Sequence, residues 1–121
     1  MSKPCLLFVD DEEELLNLYR SAFSREGYEV LTAADLASAR DLLAGTEVAA
    51  VVLDIKLAEG SGLELLREIK AGRPHLPVVL STAFARYQDD FSSWLADAYV
   101  VKSSDLAELK ATVQRCLGPT P

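Results

Sequence analysis

The sequence predicts an α/β fold in which five strand–helix units build a parallel sheet, and three observations carry that prediction. The hydrophobic period switches repeatedly along the chain between short apolar runs and stripes at helical spacing. Four runs are nearly all apolar, as strands covered on both faces are: Cys5-Leu6-Leu7-Phe8-Val9, Val48-Ala49-Ala50-Val51-Val52-Leu53, Val78-Val79-Leu80 and Ala98-Tyr99-Val100-Val101. Each ends in polar residues, respectively Asp10-Asp11, Asp54, Ser81-Thr82 and Lys102. Alternating strands and helices imply three layers, with helices on both faces of the sheet and right-handed crossovers. All four polar ends then share one sheet edge, beside the crevice where open α/β sheets bind ligands.

The elements follow in order. After the first strand, Leu15, Leu18, Tyr19, Ala22 and Phe23 recur at helical spacing, and Gly27 ends that helix. Tyr28 to Ala33 carries Glu29 and Thr32 among apolar residues, as a less buried edge strand does. A helix is predicted from Asp35 to Ala44, with Leu36, Ala39, Leu42 and Leu43 inward and Gly45 closing it. The third strand stops at Asp54, and 55–60 reads as a loop. Ser61 with Glu64 has the form of a capping box for a helix running to about Ala71. Pro77 opens the fourth strand, and 86–96 reads as a short helix with Phe91, Trp94 and Leu95 on its apolar side. After the fifth strand, Asp105 with Glu108 suggests a second capping box before a last helix carrying Leu106, Leu109, Val113 and Leu117. Gly118-Pro119-Thr120-Pro121 reads as a frayed tail.

The 121 residues suffice for one domain, with its core over about 4–117. Half are hydrophobic, which fits a packed globule. The longest apolar runs are far too short to span a membrane, and no signal peptide is visible after Met1, so a cytoplasmic location is expected. A net charge of −7 disfavours direct binding to nucleic acid, which needs clustered Lys and Arg. Cys5 and Cys116 are expected to stay reduced. His75 is the only histidine and has no Cys-x-x-Cys or second His beside it, which argues against a zinc site or a Cys-His catalytic pair.

The strand-end residues suit phosphoryl chemistry. Glu12 and Glu13 are explained by the helix dipole, but Asp10 is not. Adjacent carboxylates in a crevice repel unless a cation neutralises them, and with Asp54 they offer oxygen ligands suited to Mg²⁺ beside phosphate. An Asp after a strand is commonly a turn residue; as a functional group Asp54 is a nucleophile able to accept a phosphoryl group. Ser81 and Thr82 point to opposite faces of a strand, so one hydroxyl is expected to serve the site. Beside three aspartates, Lys102 is expected to pair with carboxylates. Tyr99 points to the face opposite Val100 and Lys102.

Taken together these residues resemble the receiver domain of two-component response regulators, similar to the chemotaxis response regulator, over nearly the whole chain from Pro4 to about Leu117. The matching landmarks are Asp10-Asp11, Asp54, the Thr82-Ala83 pair and Lys102, with the loop after Asp54 including the Gly62 eight residues on. The resemblance implies a doubly wound, flavodoxin-like (βα)5 fold with strand order 2-1-3-4-5. It implies Mg²⁺ held by Asp11, Asp54 and the Lys56 backbone carbonyl, with Asp10 acting through water. It implies a histidine kinase or a histidine phosphotransfer protein as donor to Asp54, and Thr82 and Lys102 as grips on the phosphoryl oxygens. Tyr99 matches the switch aromatic, and the surface of the fourth helix, fifth strand and fifth helix would carry the signal to a downstream protein. A monomer or a phosphorylation-dependent dimer is expected, and a signalling domain rather than an enzyme.

The sequence departs from the family pattern at three places. Ser103 stands where Pro is usual after the Lys, and a non-proline cis bond there would cost about 2.5–4 kcal/mol. Ala58 stands where Pro is usual after the phosphoacceptor. Thr82 to Lys102 is 20 residues, about two short of the family by resemblance, with the shortening placed around Leu95-Ala96-Asp97-Ala98. Phe84 is expected to screen Asp54 from water and Trp94 to report the switch. Two alternatives stand beside a stand-alone phosphorylatable receiver. One is a degenerate receiver that binds a partner without phosphorylation. The other is a Mg²⁺-dependent phosphohydrolase, although such enzymes typically place an Asp-x-Asp nucleophile after the first strand.

Overall fold

A computed structural model describes residues 3–58, 60–83, 95–103 and 105–118. Among these described residues, seven strands and four helices follow in chain order: β1 (Cys5–Val9), α1 (Glu13–Arg25), β2 (Glu29–Ala33), α2 (Leu36–Gly45), β3 (Ala50–Leu53), β4 (Lys56–Leu57), β5 (Gly60–Ser61), α3 (Gly62–Gly72), β6 (Val78–Thr82), β7 (Ala98–Val101) and α4 (Ala107–Leu117). The five main strands form one parallel sheet in the order β2-β1-β3-β6-β7. Counting only those strands, this is the expected 2-1-3-4-5. Most of the helix expected over 86–96, together with Phe84 and Trp94, lies outside the described residues.

Strand alternation divides the core into two layers. On one face Leu7, Val9, Val51, Leu53, Val78 and Leu80 pack against Ala39 and Leu43 of α2 and Leu65, Leu66 and Ile69 of α3. On the other, Leu6, Phe8, Val52, Val79 and Val100 meet Leu16, Tyr19 and Phe23 of α1 and Leu109 and Val113 of α4. Phe8 anchors this second layer, its ring centroid 4.8 Å from Tyr19 and 4.9 Å from Phe23. Phe8 and Phe23 are fully buried, and each contributes about 1.5–3 kcal/mol through burial. Gly27 adopts φ 92°, where a side chain is strained, and so turns the chain out of α1.

Three details differ from the expectation. The segment read as a loop holds a small antiparallel ladder, Lys56 opposite Ser61 and Leu57 opposite Gly60. Burial of Ile55 and Leu57 in the α2–α3 layer pins it there, a pull that propensity in so short a stretch does not reveal. Ser61 is the N-cap of α3 but engages a nearer N–H, whereas the N-cap of α4 is Leu106, one residue past Asp105, and has no side-chain cap bond. Ser61 Oγ accepts from the Leu63 amide at 3.1 Å and Asp105 Oδ1 from the Ala107 amide at 2.9 Å. Glu64 lies near Arg40 of α2 instead, at 3.5 Å. Among the described residues no peptide bond is cis, so the Lys102–Ser103 bond is trans. Likewise no helix among them is long and apolar enough to cross a membrane.

Candidate functional site

The carboxyl ends of β1, β3, β6 and β7 lie side by side because the parallel register aligns them. Val9 is level with Leu53, Leu53 with Leu80, and Thr82 with Val101. Backbone bonds continue one residue past the strands: Asp10 N donates to Ala33 O at 3.1 Å, Asp54 N to Val9 O at 3.0 Å and Lys102 N to Thr82 O at 2.7 Å. The residues bearing charge are therefore fixed by the sheet itself. Asp10 and Asp54 are buried, Asp11 is exposed, and Lys102 is partly buried.

Lys102 bridges the two buried aspartates. Its Nζ stands 2.8 Å from Asp10 Oδ2 and 3.0 Å from Asp54 Oδ2, with Glu12 Oε1 at 3.5 Å. Each aspartate gives its other oxygen to the backbone. Asp10 Oδ1 accepts from the Glu12 amide at 2.9 Å and Asp54 Oδ1 from the Lys56 amide at 3.3 Å. Burial lifts the Asp54 carboxyl above the usual aspartate range, against the pull of Lys102, and the nearby Asp10 adds to the lift. Burial acts to lower the Lys102 pKa, but its bonds to Asp10 and Asp54 together outweigh that and hold it above the ordinary lysine value.

One ammonium cannot neutralise three carboxylates. Asp10, Asp11 and Asp54 place one oxygen each within 4.8 Å of one another. Hard oxygen donors at that spacing, with an uncompensated negative charge, fit a divalent cation such as Mg²⁺. A cleft of about 480 Å³ opens over them, lined by Asp11, Asp54, Lys56, Ala83 and Lys102 among others. That is ample room for a phosphoryl group.

Gly62 sets the position of Asp54 from behind. A Cβ at residue 62 would stand 1.9 Å from the Asp54 carbonyl oxygen and 2.9 Å from its carbonyl carbon. The Gly62 amide donates to Ile55 O at 2.6 Å. The first turn of α3 thus lies directly against the backbone that carries the carboxylate, an approach only glycine allows.

Of the residues expected from the sequence, Asp10, Asp11, Asp54 and Lys102 come together. Lys56 sits beside them through its amide. Thr82 is fully buried at the end of β6, and strand alternation turns its side chain toward the α2–α3 layer. Tyr99 is half-buried and packs on that same layer. Ser81 alternates the other way, onto the face shared by Phe8, Val52 and Val100, and so lies on the side of Asp54 and Lys102. There its side chain lies beside the Tyr19 hydroxyl. Tyr19 was not expected at the site, and of the two hydroxyls Ser81 and Thr82 the family resemblance favoured Thr82. Tyr19 fits an apolar helical stripe, and only the strand register brings it over Ser81.

The comparisons with known proteins agree with this geometry. Residues 6–114 match the family model described as the response regulator receiver domain. The chain is 33% identical over 114 residues to the regulatory protein AtoC of Escherichia coli K12, covering 93% of this chain and 25% of AtoC. It is 33% identical over 117 residues to the probable transcriptional regulatory protein TcrX of Mycobacterium tuberculosis, covering 95% of this chain and 50% of TcrX. The chain thus spans a quarter to a half of the length of these curated relatives. Among solved structures, response regulator TrrA of Thermotoga maritima, in complex with Mg²⁺-BeF, is 37% identical with a TM-score of 0.90, covering 93% of this chain and 98% of that one. TrrA in complex with the histidine kinase ThkA superposes with a TM-score of 0.89 at the same identity, covering 95% of this chain and 99% of that one. The chain belongs to the response regulator receiver domain family of two-component signalling proteins.

Proposed function

We propose that Asp54 accepts a phosphoryl group from a phosphohistidine donor, with Mg²⁺ held by Asp10, Asp11, Asp54 and the Lys56 backbone carbonyl. The observation that carries this reading is the cluster itself: three carboxylate oxygens within 4.8 Å, two of them on aspartates bridged by Lys102. An Asp54 oxygen attacks phosphorus in line. The phosphorus–nitrogen bond of the donor breaks, and the imidazole leaves with the electron pair. The metal, when bound, supplies charge neutralisation for the transferring group. Lys102, which stands at Asp54 when no metal is bound, keeps its proton and lies within reach of a phosphoryl oxygen there.

The product is an acyl phosphate, which adds charge and acceptor oxygens at one point. It favours the conformer that brings the Thr82 hydroxyl and Lys102 to those oxygens, and Tyr99, on the same face as Thr82, follows inward. Moving such an equilibrium from 1:99 to 99:1 requires about 5.5 kcal/mol of preference for one conformer. Charge-assisted bonds from Thr82, Lys102 and backbone amides are the kind that supply it. The altered surface around β7 and α4 then presents the signal to a downstream protein. The domain acts as a signalling switch and not as a turnover enzyme. The kinase complex of TrrA supports a histidine kinase as the donor here.

The test is incubation of the purified protein with Mg²⁺ and a small-molecule phosphodonor, followed by intact-mass measurement. A gain of one phosphoryl group that needs Mg²⁺ is expected. An unmodified mass under saturating Mg²⁺ would overturn the proposal.

A further inference from the structure

Tyr19 and Ser81 form a buried polar pair inside an otherwise apolar layer. Each is 3% exposed, and the ring of Tyr19 is stacked on Phe8. Hydroxyls in such a layer cost free energy unless they bond. The two hydroxyl-bearing side chains lie next to each other, yet an apolar pair would fill the space at less cost. Their surroundings point to a use. Ser81 follows Leu80 in a strand whose register runs level with Asp54 on one side and Val100 on the other. Tyr19 lies close enough to feel the charges of Asp10, Lys102 and Asp54.

Beside the pair lies a cavity of about 120 Å³. Its polar lining comes from Tyr19, Ser81, Lys102, Ser103, Asp105 and Glu108. Among the residues that line it, Tyr19, Ser81 and Ser103 carry hydroxyls, Asp105 and Glu108 carry carboxylates, and Lys102 is the one cation. An ammonium carries three donors and no acceptor, so this lining suits it, and the volume exceeds what a water-sized group needs. The present place of the ammonium is contested. It occupies Oδ2 of Asp10 and Oδ2 of Asp54, two of the three carboxylates that would hold a divalent cation. Two cations cannot share those oxygens at contact distance without strong repulsion.

We propose that the cavity floored by Tyr19 and Ser81 is a second berth for the Lys102 side chain, taken up when a divalent cation claims the Asp10 and Asp54 oxygens. Tyr19 is then a positioning residue that acts through Ser81. It gives the displaced ammonium a polar place within reach of Asp54. This rests on the metal site proposed above and adds to it the route by which the chain's own cation yields.

The experiment is a calorimetric Mg²⁺ titration of wild type, Tyr19→Phe, Ser81→Ala and Ser81→Thr, each also in a Lys102→Ala background. With Lys102 present, Tyr19→Phe and Ser81→Ala should weaken Mg²⁺ binding about three- to ten-fold, which is about 0.7–1.4 kcal/mol, and Ser81→Thr should restore most of it. With Lys102→Ala the same substitutions should leave the affinity unchanged, because no ammonium then needs the berth. Equal affinity of wild type and Tyr19→Phe, or equal losses in both backgrounds, would overturn the inference while leaving the metal site standing. No Mg²⁺ binding by the wild type would instead overturn the proposed function.

Discussion

Replacing Gly62 by alanine tests how tightly the phosphoacceptor is held. The added Cβ would lie 1.9 Å from the Asp54 carbonyl oxygen, whereas ordinary carbon–oxygen contact needs about 3.3 Å or more. The first turn of α3 or the Asp54 backbone must therefore move by more than 1 Å. Neither moves freely. Asp54 N is bonded to Val9 O, and Gly62 N to Ile55 O at 2.6 Å, while Leu63, Leu65 and Leu66 anchor α3 in the core. Overpacking of this kind costs about 1–3 kcal/mol. The gain in helix propensity from Gly to Ala, about 1 kcal/mol in a helix interior, offsets little of it at a first helical residue. A displacement of about 1 Å at a reacting group lowers the rate by about 10²-fold. Urea unfolding gives the first quantity. Mg²⁺-dependent phosphoryl gain, followed by mass over time, gives the second. Stability within 0.5 kcal/mol of wild type (a margin typical of neutral surface changes) together with an unchanged phosphorylation rate would refute the claim that Gly62 positions Asp54.

The remaining predictions concern Lys102. Lys102→Met leaves Asp10 and Asp54 facing each other without their cation, which should cost about 3 kcal/mol in urea unfolding without metal. Mg²⁺ at 100 times its dissociation constant should return about 2.7 kcal/mol of that; a loss that metal leaves untouched would contradict the shared use of these carboxylates. The Lys102 pKa lies above the ordinary 10.5, so its stabilisation is present in full below pH 10.5 and is lost as pH rises through the folded value. Urea midpoints across that alkaline window should fall more steeply for Tyr19→Phe than for Tyr19→Phe combined with Lys102→Met, the tyrosine that feels the Lys102 charge being absent from both. Parallel slopes would show that Lys102 contributes no pH-dependent stability.

Most of the fold was legible because each level of the sequence agreed. The apolar runs of β1, β3, β6 and β7 read as doubly covered strands, and their polar ends marked the sheet edge. Within the site, Asp10, Asp11, Asp54 and Lys102 could be grouped before any coordinates because all four follow directly from strand ends. The β4–β5 ladder was not legible, since two-residue strands carry no periodic signal and depend on burial of Ile55 and Leu57. Tyr19 was not legible either, and Ser81 was passed over for Thr82. The Tyr19 ring satisfies the apolar stripe of α1, and its hydroxyl acquires meaning only when the β3–β6 register carries Ser81 to the same face as Asp54.

The central claim is that Asp54 itself receives the phosphoryl group. Borohydride reduces an acyl phosphate to the alcohol, so an aspartate that has been phosphorylated becomes homoserine and can be located by peptide mass mapping. After incubation with Mg²⁺ and a small phosphodonor, homoserine is predicted at residue 54 and nowhere else, and its absence is predicted when Mg²⁺ is withheld or Asp54 is replaced by Asn. Homoserine at Asp10 or Asp11, or no conversion at residue 54 in protein shown to bind Mg²⁺, would contradict the account.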